Sequence, residues 1–516
     1  MLNELSLAAR RRAVLLFLAG VLAAVLVWSV QRGRPVPLPE TAATAVATLP
    51  CLSYAPFRRP GATPFDPELR VTRAEIEADL RLLATVTGCV RTYGVDHGLD
   101  VVPDVARQLG LRVILGAWIG RDAVANQAQL ARALALAQTY RDVVELLIVG
   151  NEVLLRRELT PEALAALLMQ ARSASPVPVS YADVWAFWLR HAEVLRPHVD
   201  LVATHILPYW EDEPIGIDGA VDHIYAIAGQ LRQVFGTTPV YVAETGWPAA
   251  GRQRGPAVPG RLEQARFVRE LLARQHETPM LFNLIEGFDQ PWKRNLEGAM
   301  GGAWGLFDAG GVLRVLLAGP VVPDPHWPVL PVSALLGGLL MGLAGRRIDG
   351  RQMPFLLVGG ALTGLFAGWQ LQDLPLWSRD VWEWLAGSAR IAASVLCGLA
   401  ASAGLAGWKE RRLVFTSLPL LVIAAIDAGW LVFDARYRPL PWPMLAAPAM
   451  LLLASAGLGH RRPAFLVVRT AAWLCAAGAV LVAVNEGVAN TQALLYAGLL
   501  LTLAVSMLCL HRAGST

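Results

Sequence analysis

The sequence predicts two fold classes in one chain: an α/β domain built as a (β/α)8, TIM-type barrel, and an all-α polytopic transmembrane domain. Three observations carry this. Between residues 50 and 318, eight short apolar runs alternate with helical patterns, and eight-fold barrels take about 250 residues. Long apolar segments lie near the N-terminus and after residue 328. The charges between those segments fall on alternate sides, as the positive-inside rule requires.

The excess apolar content is concentrated, not spread. The chain has 516 residues, 55% hydrophobic and 17% charged. Soluble domains average about 45–50% apolar and 25% charged. At the N-terminus, Arg10-Arg11-Arg12 precede an apolar run from Ala13 to Val30, followed by Gln31-Arg32. A run of about 18 residues can span a bilayer. A cleaved signal peptide has a shorter core with its small-residue site close behind. Here Ala42-Ala43-Thr44-Ala45 lies well past the run, which favours an uncleaved anchor. Residues 1–34 read as a cytoplasmic tip and anchor, and 35–49 as a linker.

The barrel elements follow in order. Strands are expected at Cys51–Ala55, Cys89–Tyr93, Leu111–Trp118, Val143–Val149, Val177–Tyr181, Val199–His205, Pro239–Glu244 and Thr278–Glu286. Each is a nearly continuous apolar run, as parallel strands covered on both faces are. Helices are expected at Thr72–Thr87, with Thr72 as N-cap, then Val101–Leu109, Val124–Gln138, Pro161–Arg172, Trp185–Glu193, Ala220–Phe235 and Arg261–Gln275. Pro161 suits a first helical turn. An open doubly wound sheet would want a Gly-rich phosphate loop after the first strand, and the sequence has none there.

Seven further apolar segments lie near 328–345, 354–370, 390–408, 413–433, 441–459, 465–484 and 492–510. They define a seven-helix transmembrane domain over 328–510 with a cytoplasmic tail at 511–516. With Arg10–Arg12 inside, the inside loops hold Arg346, Arg347 and Arg351; Lys409, Arg411 and Arg412; Arg461 and Arg462; and Arg512. One outside loop is acidic and aromatic: Asp380, Trp382, Glu383, Trp384. The barrel then faces the periplasm or exterior of a cell membrane, and both termini are cytoplasmic. The net charge of +4 is mostly this bias and implies no nucleic-acid partner. Within the spans, Asp427 and Arg469 sit at different depths and are not paired. Arg469 reads as snorkelling, and Asp427 as lining a polar path or contacting a partner.

Cys397, Cys475 and Cys509 fall in spans. Cys51 and Cys89 open neighbouring strands on the exported side, where a disulfide is open to them. No His/Cys cluster suggests a metal, and no cofactor is expected.

Polar and aromatic residues gather just past the strand ends, which a barrel brings to one rim. They are Tyr54, Arg91, Tyr93, Trp118, Asn151, Glu152, Tyr181 with Asp183, His205, Tyr209, Trp210, Glu244, Trp247, Glu286, Phe288, Trp292 and Lys293. Aromatic faces with polar edges suit sugars. Glu152 ends the fourth strand and Glu244 the seventh, and glycoside cleavage needs two such carboxylates. One must be protonated to assist the leaving group and the other ionised to attack the anomeric carbon.

Val149-Gly150-Asn151-Glu152-Val153 and Glu244-Thr245-Gly246-Trp247-Pro248 resemble the two signatures of glycoside hydrolase family 17, the β-1,3-glucanases. Val90-Arg91-Thr92-Tyr93, Leu207-Pro208-Tyr209 and Trp304-Gly305-Leu306-Phe307 also look like segments of that family. The resemblance implies a retaining barrel enzyme with Glu152 as acid/base and Glu244 as nucleophile. It makes Glu286 and Lys293 a supporting acid and base. The Pro291-Trp292 insertion and the membrane domain depart from the plant members. Bacterial members with membrane spans resemble enzymes of periplasmic glucan synthesis. That implies a β-glucan substrate, a sugar acceptor, lipid contact and a membrane glucan synthase as a possible partner. Transglycosylation is the leading expectation and hydrolysis the alternative, with Trp185, Trp188, Trp210 and Trp292 as candidates for holding an acceptor. A non-catalytic carbohydrate-binding scaffold would require one of the two carboxylates to be missing.

Overall fold

The computed structural model describes residues 6–39, 49–315, 317–407, 413–434, 437–458 and 466–510. The small-residue stretch 42–45, the inside charges Lys409, Arg411, Arg412, Arg461, Arg462 and Arg512, and the tail 511–516 lie outside the described residues. The chain divides into two compact units. One is Pro37–Gly251 with Pro256–Val321, and the other is Met1–Val36, Arg252–Gly255 and Val322–Thr516.

The first unit is an eight-stranded parallel closed barrel. Its strands are β1 (Leu52–Ser53), β2 (Cys89–Arg91), β3 (Arg112–Ala117), β4 (Val144–Asn151), β5 (Val179–Val184), β6 (Val202–His205), β7 (Val240–Thr245) and β8 (Leu281–Leu284). Leu52 pairs with Leu284 and closes the ring. Helices start where their caps dictate. Thr72 accepts from the Glu75 N–H while the Glu75 carboxylate accepts from the Thr72 N–H, a reciprocal cap on the helix Arg73–Leu83. Asp122 and Thr160 cap the helices Ala123–Thr139 and Pro161–Ala174. Each such cap is worth about 1 kcal/mol.

Strand parity divides the core. Cys51, Cys89, Ile114, Leu146, Ile148, Ala182, Ala203, Tyr241 and Ala243 fill the barrel interior. Their neighbours along each strand, among them Leu52, Val90, Val113, Leu147, Val202 and Val242, pack outward against the helices. Cys51 and Cys89, at the entry of β1 and β2, are joined by a disulfide.

Parity breaks near the ends of two strands, β4 and β7, and shows in three strand pairings. The register shifts between Ile148 and Asn151 in the pairing of β4 with β5. It shifts between Thr204 and His205 in that of β6 with β7, and between Val242 and Thr245 in that of β7 with β8. Such irregularities re-aim side chains and recur beside active sites. Counted strictly from Ala243, Glu244 would face the helices; the shift turns it into the barrel mouth.

The second unit is all helical. Among the described residues, six helices are long and apolar enough to cross a membrane: Leu7–Arg32, Met353–Trp377, Val381–Leu405, Thr416–Phe433, Leu466–Glu486 and Thr491–Leu510. Two more apolar helices, Val329–Ala344 and Trp442–Gly457, are shorter. Eight spans were expected, but a helix of 16 residues is about 24 Å long against a hydrocarbon core of about 30 Å. The acidic-aromatic stretch is also not a loop. Asp380 caps the helix beginning at Val381, so Trp382, Glu383 and Trp384 form its first turn. Asp427 is paired with Arg390 at 2.9 Å through Nε, with a second contact to Nη2. The sequence reading did not find this partner, because Arg390 sits at the start of the segment drawn from residue 390.

Candidate active site

Gly150 begins the turn that leaves β4. Its φ is +86° and a Cβ there would meet Val153 Cγ2 at 2.8 Å, so glycine is the residue that fits. Glu152 follows with φ +54°. This conformation costs a non-glycine residue about 1–3 kcal/mol and is found mainly at functional sites. Here the surroundings hold it: the Glu152 N–H donates to the Ala182 carbonyl at 2.7 Å, and the Arg156 N–H donates to the Glu152 carbonyl at 2.9 Å. Arg156 also donates to the Asn151 carbonyl, pairs with Glu158 at 2.8 Å and lies 4.4 Å over the Trp118 ring. It is a fixing residue that the sequence reading missed.

Glu244, at the end of β7, is nearly buried. Arg91, from β2 and 1% exposed, donates to Glu244 Oε1 at 2.9 Å, to the Ala243 carbonyl at 2.8 Å and to Asn151 Oδ1 at 2.7 Å. One guanidinium thus locks the ends of β4 and β7 together. Burial opposes the ionised form of Glu244. The charges of His205, Arg91 and Lys293 and a hydrogen bond from Tyr93 outweigh it and hold the carboxyl below its usual range. Tyr93 OH also lies 2.8 Å from Ser53 Oγ, and Asn283 Nδ2 donates to that serine oxygen at 2.7 Å.

His205 stands between the carboxylates, not on the open rim. Its Nδ1 lies 3.0 Å from Glu152 Oε1 and its Nε2 3.5 Å from Glu244 Oε1. One ligand atom from each of the three residues lies within 4.8 Å of the others. A carboxylate–imidazole–carboxylate set can hold a metal ion. However, the Arg91 guanidinium already occupies Glu244 Oε1 at 2.9 Å, and a dication there would face a fixed positive charge. The set fits a proton-carrying network better than a metal centre.

Behind Glu244, Lys293 Nζ is 2.8 Å from Glu286 Oε2. Burial pushes the Glu286 carboxyl up to about 7 despite Lys293. Half-buried Glu297 is raised too, by burial first, while Lys293 opposes; the sequence reading missed it. Gly305 fits the contact beneath, since a Cβ there would meet the Asp289 nitrogen at 2.2 Å.

The expected aromatic rim is thinner than predicted. Trp118 is open at 40% exposure. Trp292 is half-buried, with its Nε1 on Gln290 Oε1 at 2.8 Å and its ring edge against Phe65. Tyr54, Tyr181, Tyr209, Trp247 and Phe288 are fully buried. Tyr54 donates to Asp79 on the helix side, and Trp247 Nε1 to the Val258 carbonyl. Tyr181 accepts from the Leu154 N–H at 2.9 Å and donates to Asp183. Tyr209 and Phe288 pack among other rings. These five brace the rim from behind. Trp188 is also buried, donating to the Ala203 carbonyl, so it offers no face to an acceptor. Burial raises Asp183 to about 6.

Removing the Lys293 charge has a predictable sign. Lys293 helps lower the Glu244 carboxyl, and the acid limb of kcat/KM reports essential groups of the free enzyme. Lys293→Met is expected to move that limb to higher pH; an unmoved limb would show that Lys293 acts only on Glu286.

Two carboxylates within reach of each other, one held below its usual range, stand at the strand-end mouth of a parallel barrel. Residues 51–305 match the BtgE/BtgC glycoside hydrolase domain. The probable β-glucosidase btgE of Aspergillus fumigatus is 28% identical over 225 residues, which are 42% of this chain and 39% of that protein. A glucan 1,3-β-glucosidase of Schizosaccharomyces pombe is 29% identical over 231 residues, 42% of this chain and 72% of that protein. A family 17 β-1,3-glucanosyltransferase structure from Rhizomucor miehei is similar with a TM-score of 0.45 at 24% identity, over 52% of this chain and 97% of that one. The chain therefore spans about two-fifths of the length of the Aspergillus relative.

Proposed function

We propose that the chain is a membrane-held, retaining β-1,3-glucan-active enzyme that cleaves through a glycosyl-enzyme on Glu244 and passes the glycosyl group to a sugar acceptor. The observation that carries the mechanism is the separation of Glu152 and Glu244. Their facing oxygens lie within 4.8 Å, near the roughly 5–5.5 Å of retaining enzymes and short of the roughly 6.5–9.5 Å of inverting ones. Glu244, kept ionised, attacks the anomeric carbon. Glu152, with 26% of its side chain open to the cleft, protonates the departing oxygen and later takes the proton of the incoming hydroxyl. Asn151, beside both, is placed to donate to the sugar 2-OH. The β-1,3 linkage is supported by the name of the Schizosaccharomyces relative.

Transfer is favoured over hydrolysis by tethering: a barrel anchored where a glucan emerges meets sugar ends at high local concentration. Hydrolysis is the second reading, favoured by the glucosidase names of the relatives. The purified chain mixed with laminari-oligosaccharides separates them. Products longer than the substrate are expected, and only shorter ones would overturn transfer. The presence of both Glu152 and Glu244 at the barrel mouth speaks against the non-catalytic scaffold, which would lack one of them.

For topology we propose the barrel on the side of the membrane opposite Arg346, Arg347 and Arg351, with lipid and a glucan synthase as partners and no cofactor. Protease added to sealed right-side-out vesicles is expected to cut within 50–318. Protection of that region would reverse the orientation.

A further inference from the structure

We propose that His205 stores the proton that Glu152 delivers and recovers. The inference rests on the retaining reading above. His205 is 1% exposed and acts through Glu152, so it is a positioning residue. Two observations carry it: the 3.0 Å contact of Nδ1 with Glu152 and the 3.5 Å approach of Nε2 to Glu244. A sugar-binding histidine would turn a nitrogen to the cleft; this one turns both to carboxylates.

In the resting site the imidazolium lies between two carboxylates, leaving one net negative charge. As substrate reacts, the Nδ1–H bond breaks and an O–H bond forms on Glu152. Glu152 passes that proton to the glycosidic oxygen, which leaves with the electron pair of its bond to the anomeric carbon. An electron pair of Glu244 makes the new bond to that carbon. His205 is now neutral, Glu244 is an ester and Glu152 is charged, so the net charge is still one negative. In the second half the acceptor hydroxyl gives its proton to Glu152 and its oxygen attacks the anomeric carbon. Glu244 leaves with the electron pair, and the proton moves on to Nδ1. The charged groups facing His205 are Glu152 from β4, Asp183 from β5 and Glu244 from β7, with Arg91 from β2 behind Glu244.

His205→Asn in the full-length chain tests this, with His205→Gln as second variant if the first does not fold. Two substrates are compared: a laminari-oligosaccharide, whose leaving group needs a proton, and a dinitrophenyl β-laminaribioside, whose leaving group does not. The oligosaccharide kcat/KM is expected to fall about a hundredfold, within the range of lost proton transfer, and to recover toward acid pH as solvent protonates Glu152. The aryl kcat/KM should fall less than about fivefold. Equal losses on both substrates, or no loss, would overturn the proton store. A wild-type chain inert to both would instead remove the retaining reading itself.

Discussion

Glu244→Gln is expected to lower turnover of laminari-oligosaccharides by at least about a thousandfold, because an amide cannot form the glycosyl ester that divides the reaction into two steps. The fold should survive, since Arg91 can still donate to the amide oxygen at the place it now donates to Oε1 at 2.9 Å. Glu152→Gln is expected to lose about 10²–10⁴-fold, and less on an aryl glycoside with a good leaving group. The contrast separates the two roles: loss of Glu244 spares neither substrate, whereas loss of Glu152 spares the first step of the activated one. Steady-state rates on both substrates check this. An aryl substrate turned over by Glu244→Gln at the wild-type rate would sink the assignment.

Arg91→Met is expected to destabilise the barrel by about 3–5 kcal/mol at neutral pH, the usual cost of leaving one partner of a buried ion pair alone. Arg91 is 1% exposed and holds Glu244, the Ala243 carbonyl and Asn151, so several acceptors lose their donor together. The pH dependence has a definite sign. In the native chain the Glu244 carboxyl is held below its usual range. Its stabilising contribution is present above the unfolded value, about 4.3, and is lost as pH falls through the lower folded one. Without Arg91 the buried carboxylate is penalised above that range and relieved when protonated. The gap between variant and native chain should therefore narrow as pH drops. Denaturant melts at neutral and acid pH measure it, and a gap independent of pH would show that Arg91 stabilises by packing alone.

The barrel and its two carboxylates were legible because parallel strands write themselves as apolar runs and because chemistry collects at strand ends. What was not legible turns on parity and burial. Tyr54 and Tyr181 lie past or near strand ends in the sequence, yet each takes the outward parity of Leu52 and Val179 and packs on the helix side. Glu244 has the same outward parity and was placed correctly only because a register shift turns it inward. No residue pattern announces that shift. His205 was read as a rim residue, although the inward parity it shares with Ala203 already pointed it at the barrel axis. Asn283 acts through the Ser53 hydroxyl and the Ala243 carbonyl, brought together by the closed ring, which spacing along the chain does not reveal. In the helical unit, Arg390 and Asp427 lie on different helices, and hydropathy carries no information on which faces meet.

The central claim is a covalent glycosyl-enzyme on Glu244, and one measurement reaches it directly. The chain is incubated with a 2-fluoro-2-deoxy-β-glucosyl fluoride, which forms the ester and releases it slowly, and is then digested and mapped by mass. The account predicts a single glycosyl adduct on the peptide containing Val240–Thr245, fixed to Glu244. An adduct on Glu152 or Glu286, or an active enzyme that gives products of inverted configuration and never carries an adduct, would contradict it.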